Sequence, residues 1–305
     1  MNELHISHRT AATTGVVGRF APSPTGALHF GSLVTAVGSY CFARQAGGRW
    51  LVRMEDLDGP RLVPGAADEI LRTLERLGLE WDGEILVQSR RVERYEAVLD
   101  QLRRSGHLFA CACSRKEVLA SAPHRGEEGP VYAGTCRDGL PPGRPARAWR
   151  LRVPHCTVGF HDCLHGEYRQ CLAEDVGDFV LRRADGLFAY QLAVVVDDAE
   201  SGVTQVVRGA DLLSSTPRQI YLHHCLGFAV PCYAHLPLAL APDGEKLSKR
   251  HGAVSLDRDG GGNLICQALR FLGQNVPEGL QGAQPAEVLS WAVRHFDRAK
   301  VPRSR

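Results

Sequence analysis
Arg19-Phe20-Ala21-Pro22-Ser23-Pro24-Thr25-Gly26-Ala27-Leu28-His29-Phe30-Gly31-Ser32 joins a short apolar run at residues 16–20 to a mostly apolar stretch at residues 31–46. The first run reads as a strand and the second as a helix. The prolines and the glycine between them read as a loop. In doubly wound α/β sheets, a strand that passes through such a loop into a helix is where phosphate-bearing ligands bind. The helix N-terminus offers unpaired N–H groups and a field that favours an anion. His29 can donate a hydrogen bond to phosphate, and Gly31 lets a purine or ribose come close to the backbone. A His-x-Gly triplet alone recurs by chance, so its place at a strand–helix junction is what makes it informative.

Working outward, residues 50–54 read as a strand. Residues 66–77 read as a helix, with Ile70, Leu71, Leu74 and Leu77 at helical spacing. Residues 92–102 repeat that pattern with Val92, Tyr95, Leu99 and Leu102. This alternation predicts an α/β fold, a doubly wound parallel sheet with helices on its faces. From residue 108 Gly, Pro, Arg and Cys dominate, and periodicity fades after about residue 122, as in an insertion with its own local staple. Sheet structure is expected to resume over residues 179–196. Within it 187–196 is nearly all apolar and would place Tyr190 in a buried strand. Residues 204–207 read as a further strand. Residues 216–226 read as a helix with Pro217 in its first turn. Apolar helical stretches follow at 264–272 and 285–296, and Gly260-Gly261-Gly262 reads as a turn. The expected division is 1–107 for the first half of the sheet domain, 108–178 for the insertion, 179–253 for the second half, and 254–305 for a short helical segment.

Composition bounds the function. The 305 residues are 44% apolar and 23% charged with a formal net charge of +2, which excludes wholesale disorder, collagen and coiled coil. No run of about 18 apolar residues exists to span a membrane. Residues 1–14 are polar and lack the apolar segment of a secretory signal, so a cytoplasmic protein is expected. Its ten cysteines then read as thiols or metal ligands. Four lysines stand against thirty-two arginines. Two of the four lie in Lys246-Leu247-Ser248-Lys249-Arg250, after the turn Pro242-Asp243-Gly244. Two ammonium groups and a hydroxyl on a mobile loop can close over a triphosphate and stabilise the charge on departing pyrophosphate. Taken alone, a solvated basic turn accounts for the same residues.

Together these two stretches resemble the paired signatures of class I aminoacyl-tRNA synthetases, and the glutamyl/glutaminyl group above all. Five blocks occur in that group's order: 19–26, His29-Phe30-Gly31-Ser32, Arg53-Met54-Glu55-Asp56-Leu57-Asp58, Val207-Arg208-Gly209-Ala210-Asp211, and 246–250. The resemblance implies a Rossmann-type catalytic domain that activates an amino acid with ATP and Mg2+. It implies an ATP site at His29, Gly31, Ser32, Lys246, Ser248 and Lys249, with His29, Lys246 and Lys249 on the phosphates. It implies a glutamate pocket at Arg19, Ala21, Ser23, Glu55, Tyr190 and Arg208. The residue types suit that ligand, because guanidinium forks take carboxylates, a carboxylate takes an ammonium, and hydroxyls fix orientation.

Cys111-Ala112-Cys113 and Tyr132-Ala133-Gly134-Thr135-Cys136 fall inside the insertion. Three local thiolates could close a small zinc site with an oxygen, a nitrogen or water as the fourth ligand, and His107 and His124 compete for that place. The truncated branch of the resembled group carries Cys-x-Cys then Tyr-x-x-x-Cys. That form implies one structural zinc on Cys111, Cys113, Tyr132 and Cys136. The chain continues only about 55 residues past Lys249. That length leads to the expectation of no anticodon-binding domain and of membership in this branch, whose members pass glutamate to the queuosine base of tRNA(Asp). The expected partners are then ATP, L-glutamate and queuosine-bearing tRNA(Asp), met by a monomer with no membrane contact. Arg90-Arg91, Arg103-Arg104, Arg182-Arg183 and Arg303-Ser304-Arg305 are candidate phosphate contacts, each also readable as scattered surface charge. Competing readings are a minimal enzyme charging the tRNA 3′ end, a non-catalytic glutamate- or tRNA-binding relative, and a small-molecule nucleotidyltransferase.

Overall fold
The computed structural model describes residues 15–126, 129–239 and 260–303. Its centre is a parallel sheet. β1 (Val17–Phe20) pairs with β2 (Arg49–Met54) from Val17↔Arg49 to Phe20↔Val52, and β2 continues to β3 (Leu86–Val87). On the other edge of β1 lies β11 (Gln205–Gly209), because Thr204 N donates to Val17 O at 2.9 Å and Val17 N to Thr204 Oγ1 at 2.9 Å. β11 pairs in parallel with β12 (Cys232–Leu236), from Gln205↔Cys232 to Gly209↔Leu236. The chain therefore builds outward in one direction from β1 and returns on its other side. The reversal opens a crevice at the carboxyl ends of β1 and β11.

Helix α1 (Phe30–Gln45) is apolar almost all round, with Leu33, Val34, Ala36, Val37, Cys41, Phe42 and Ala43 buried. A helix apolar on every face must be covered on every face. The sheet covers one side, and the helices Gly261–Phe271 and Pro285–His295 help close one core with it through Leu264, Leu269, Leu272 and Ala292. Gly38 is needed there, since a Cβ would meet Leu236 Cδ1 at 2.6 Å. A second core joins α3 (Val92–Arg104), α6 (Tyr190–Glu200), α7 (Thr216–Leu226) and strands from the 108–178 interval. Among the described residues no helix is long and apolar enough to cross a membrane.

Three expectations change. Residues 190–200 form a helix, not a strand, so Tyr190 opens α6. A continuous apolar run does not by itself separate a buried strand from a buried helix. Burial on all faces here overrides the β preference of Val194, Val195 and Val196. Gly261 and Gly262 begin a helix rather than a turn. A Cβ on Gly262 would stand 1.9 Å from Ala283 O, so the residue is set by close backbone approach. Sheet structure also resumes before residue 179. Ala148–Leu151 pairs antiparallel with Leu108–Cys111 and Val180–Arg182, and the hairpin of β8 (Thr157–Asp162) and β9 (Gly166–Cys171) follows.

Candidate active site
Two cavities, of about 260 and 290 Å³, share Phe20, Ala21, Ser23, Thr35, Arg208 and Leu212 and form one crevice at the β1/β11 reversal. The first lies over the start of α1 and is lined by His29, Gly31 and Ser32. His29 is the N-cap, its Nδ1 accepting from Ser32 N at 3.2 Å. That satisfies one of the donors a helix start leaves open. A Cβ on Gly31 would come within 3.2 Å of the His29 ring, so the glycine also clears space for the imidazole. Pro237, Leu238 and Ala239, after β12, line the far side. Lys246, Ser248 and Lys249 lie outside the described residues.

The second cavity is lined by Arg19, Ala21, Ser23, Glu55, Tyr190 and Arg208, which are all six positions expected to hold glutamate. Arg19 comes from β1, Glu55 from just past β2, Tyr190 from the start of α6 and Arg208 from β11. Sequence spacing could not show that these separate segments face one volume.

Behind the first wall of this cavity lies a buried ionic network. Arg19 Nε donates to Asp198 Oδ1 at 3.1 Å, and Arg53 Nη1 donates to the same oxygen at 2.6 Å. Arg53 also reaches Glu55 Oε1 from Nη2 at 3.1 Å. Asp197 takes Gln88 Nε2 at 2.8 Å, Arg91 Nε at 2.8 Å and Tyr95 OH at 2.9 Å, tying α3 to α6. Burial pushes the Asp198 carboxyl up, but Arg19 and Arg53 outweigh it and hold it at about 2. Burial raises Glu55 above the usual carboxylate range despite Arg53 and Arg19, and an incoming ammonium would draw it back. Desolvation opposes the charge on Arg53, yet Asp198, Glu55 and Asp197 raise its pKa.

Arg208 stands on the other wall. Its Nη2 donates to Thr216 Oγ1 at 2.8 Å and its Nε to His235 Nε2 at 3.1 Å. Its Nη1 is buried with no partner among the described residues. His235 Nδ1 meets Asp162 Oδ2 at 2.7 Å. Asp198, Asp162, His235 and Thr216 are absent from the sequence reading. In the sequence Arg53 stands out only as the first residue of the block 53–58. A buried ion pair leaves no periodic trace, and the Asp197-Asp198 pair closing an apolar helix was the one available signal.

The crevice, with its paired and unpaired arginines, invites comparison with known proteins. The family model described as "tRNA synthetases class I (E and Q), catalytic domain" matches residues 15–274. This chain belongs to that family. A protein of Dechloromonas aromatica (strain RCB) named "Glutamyl-Q tRNA(Asp) synthetase" is 61% identical over 287 residues, covering 94% of this chain and 95% of that protein. One of the same name from Geobacter sulfurreducens is 58% identical, covering 94% of each. The crystal structure of a glutamate tRNA ligase from Elizabethkingia meningosepticum in complex with its amino acid superposes with TM-score 0.78 at 26% identity. That match covers 94% of this chain and 66% of the other, so the chain spans about two thirds of that enzyme. The class I synthetase catalytic fold is thus shared across the described sheet and helices.

A second cluster lies beside the strand Leu108–Cys111. The sulfurs of Cys111, Cys113 and Cys136 lie within 4.8 Å of one another. The Tyr132 hydroxyl is 3.4 Å from Cys111 Sγ, 3.7 Å from Cys113 Sγ and 2.8 Å from Cys136 N. Three thiols and a phenol converging in this way fit a tetrahedral metal. His124 instead places Nε2 2.6 Å from Glu174 O, and neither it nor His107 joins the cluster. Of the arginine pairs proposed for phosphate, Arg91 bonds Asp197, Arg103 Asp100, Arg182 Glu96 and Arg183 Asp185, whereas Arg90 and Arg104 stand exposed.

Proposed function
We propose that the chain activates L-glutamate with ATP and Mg2+, without needing tRNA, and passes the glutamyl group to the queuosine base of tRNA(Asp). The observation that carries this reading is the second cavity, where two arginines, a glutamate and three hydroxyl-bearing residues line one volume. The relatives named above support the acceptor. Free glutamate brings two carboxylates and one ammonium. Arg208 takes a carboxylate, Glu55 the ammonium, and Ser23 and Tyr190 orient the molecule. Arg19 contributes from a guanidinium that Asp198 already holds.

No general base is needed. A glutamate carboxylate oxygen attacks the α-phosphorus of ATP, the bond to the β-phosphate oxygen breaks, and pyrophosphate leaves. Positioning and charge stabilisation supply the rate. His29, with Lys246 and Lys249 of the following loop, holds the phosphates. A hydroxyl of the queuosine cyclopentene ring then attacks the glutamyl carbonyl, giving an ester and AMP. Cys111, Cys113, Tyr132 and Cys136 would hold one structural zinc, and the site's donors fit it. Cys136→Ser should then lower bound zinc from one equivalent to below half, as metal analysis would read.

Glutamate-dependent pyrophosphate–ATP exchange without tRNA tests the first half. Labelled glutamate with tRNA(Asp), bearing or lacking queuosine, tests the second. Absence of exchange at saturating glutamate overturns the activation reading. Glutamate-dependent protection of the tRNA 3′ end from periodate overturns the acceptor.

A further inference from the structure
Arg208 and His235 are direct partners in the parallel register of β11 and β12, so their side chains leave the sheet side by side. The bond from Arg208 Nε to His235 Nε2 requires that nitrogen to be an acceptor. His235 must then carry its proton on Nδ1, where Asp162 Oδ2 lies 2.7 Å away. Asp162 is itself fixed, its Oδ1 accepting from Leu164 N at 2.9 Å and His165 N at 3.0 Å. Both side chains of this pair are fully buried. Burial depresses the imidazole to about 4, which leaves it neutral at physiological pH despite the Asp162 bond.

The three acceptors found on Arg208 are His235 Nε2, Thr216 Oγ1 and Leu212 O, and all are neutral. Arg19 and Arg53, by contrast, are held by carboxylates. A neutral acceptor orients a guanidinium without cancelling its charge, and a carboxylate does both. Arg208 lines the cavity, and its guanidinium, with Nη1 unpartnered among the described residues, has its charge cancelled by none of these three acceptors.

We propose that His235, aligned by Asp162, is a positioning residue that aims Arg208 into the cavity and sets its preference for a carboxylate over an amide ligand. This rests on the proposed glutamate activation. The relay works as the carboxylate–histidine pairs behind metal ligands do, fixing tautomer and ring plane one step back from the ligand.

The test compares wild type, His235→Leu, His235→Gln and Asp162→Asn in pyrophosphate–ATP exchange, with KM measured for glutamate and ATP separately and glutamine as competitor. His235→Leu should raise the glutamate KM roughly ten-fold or more, the loss expected for one hydrogen bond to a charged group. The ATP KM should stay within about two-fold. His235→Gln, whose Oε1 can accept in place of Nε2, should recover most of that loss. A merely structural role would move both KM values together and would not be rescued by glutamine. An unchanged glutamate KM in His235→Leu overturns the proposal. If wild type fails to exchange with glutamate, the activation reading falls. Nitrogen-15 imidazole spectra then decide the relay alone, with protonated Nδ1 and bare Nε2 expected. The opposite tautomer overturns it, also where His235→Leu does not fold.

Discussion

The two walls of the crevice hold their arginines in opposite ways. On the β1/β2/α6 side, Arg19 and Arg53 converge on Asp198, with Glu55 alongside. On the β11/β12 side, Arg208 is held, among the described residues, by neutral groups. The first wall is internally compensated, so its charges knit three elements together before any ligand arrives. The second has no carboxylate on Arg208 among the described residues, and the proposed anionic ligand would supply one. Under the proposed reading, stability and recognition fall on different strands.

Breaking the compensated wall should give the largest effect. Asp198→Asn leaves two buried guanidiniums sharing no carboxylate there. Removing one partner of a buried pair costs about 3–5 kcal/mol. The expected outcome is a loss of that size in urea unfolding, with activity lost through the fold. If unfolding free energy changes by less than about 1 kcal/mol, the wall is not the framework described here.

Arg208→Met should separate the two walls from the other side. It removes a buried charge with an unsatisfied Nη1, so unfolding stability without ligand should hold or rise. Glutamate-dependent exchange should nevertheless fall by roughly a hundred-fold, the scale of a lost charge-assisted hydrogen bond. Ligand-free destabilisation as large as that of Asp198→Asn would erase the distinction.

How far the sequence discloses these walls depends on the kind of force involved. The junction at 19–32 was legible because Pro, Gly and an apolar helix carry local signals, and α7 falls on its expected residues 216–226. The six cavity residues were placed by family resemblance, and their arrival at one volume is a tertiary fact. Tyr190 shows the difference well. It lines the cavity with the other five, yet its secondary structure departs from expectation, since an apolar run fixes burial without fixing the backbone. Asp162 and His235 lie 73 residues apart and meet only through the pairing of β8 with β12. A buried acid in a polar-looking hairpin gives no one-dimensional sign of its partner.

Acid should take the two walls apart in sequence. His235 and His223 are both depressed by burial to about 4, below the ordinary 6.5. Between those values the unfolded chain binds protons that the folded chain refuses. Stability is therefore fully present above about pH 6.5 and falls as pH drops toward 4. Asp198 is held at about 2 against an ordinary 3.8. Its contribution is present above 3.8 and is lost only as pH falls toward 2. Unfolding free energy followed from pH 7 downward should thus decline in two stages, the Arg208 wall weakening first. His235→Gln should flatten part of the first stage, the rest belonging to His223, and leave the Asp198 share of the second in place. A first stage of unchanged slope in that variant would mean that His235 does not enter the fold as the neutral acceptor Arg208 requires.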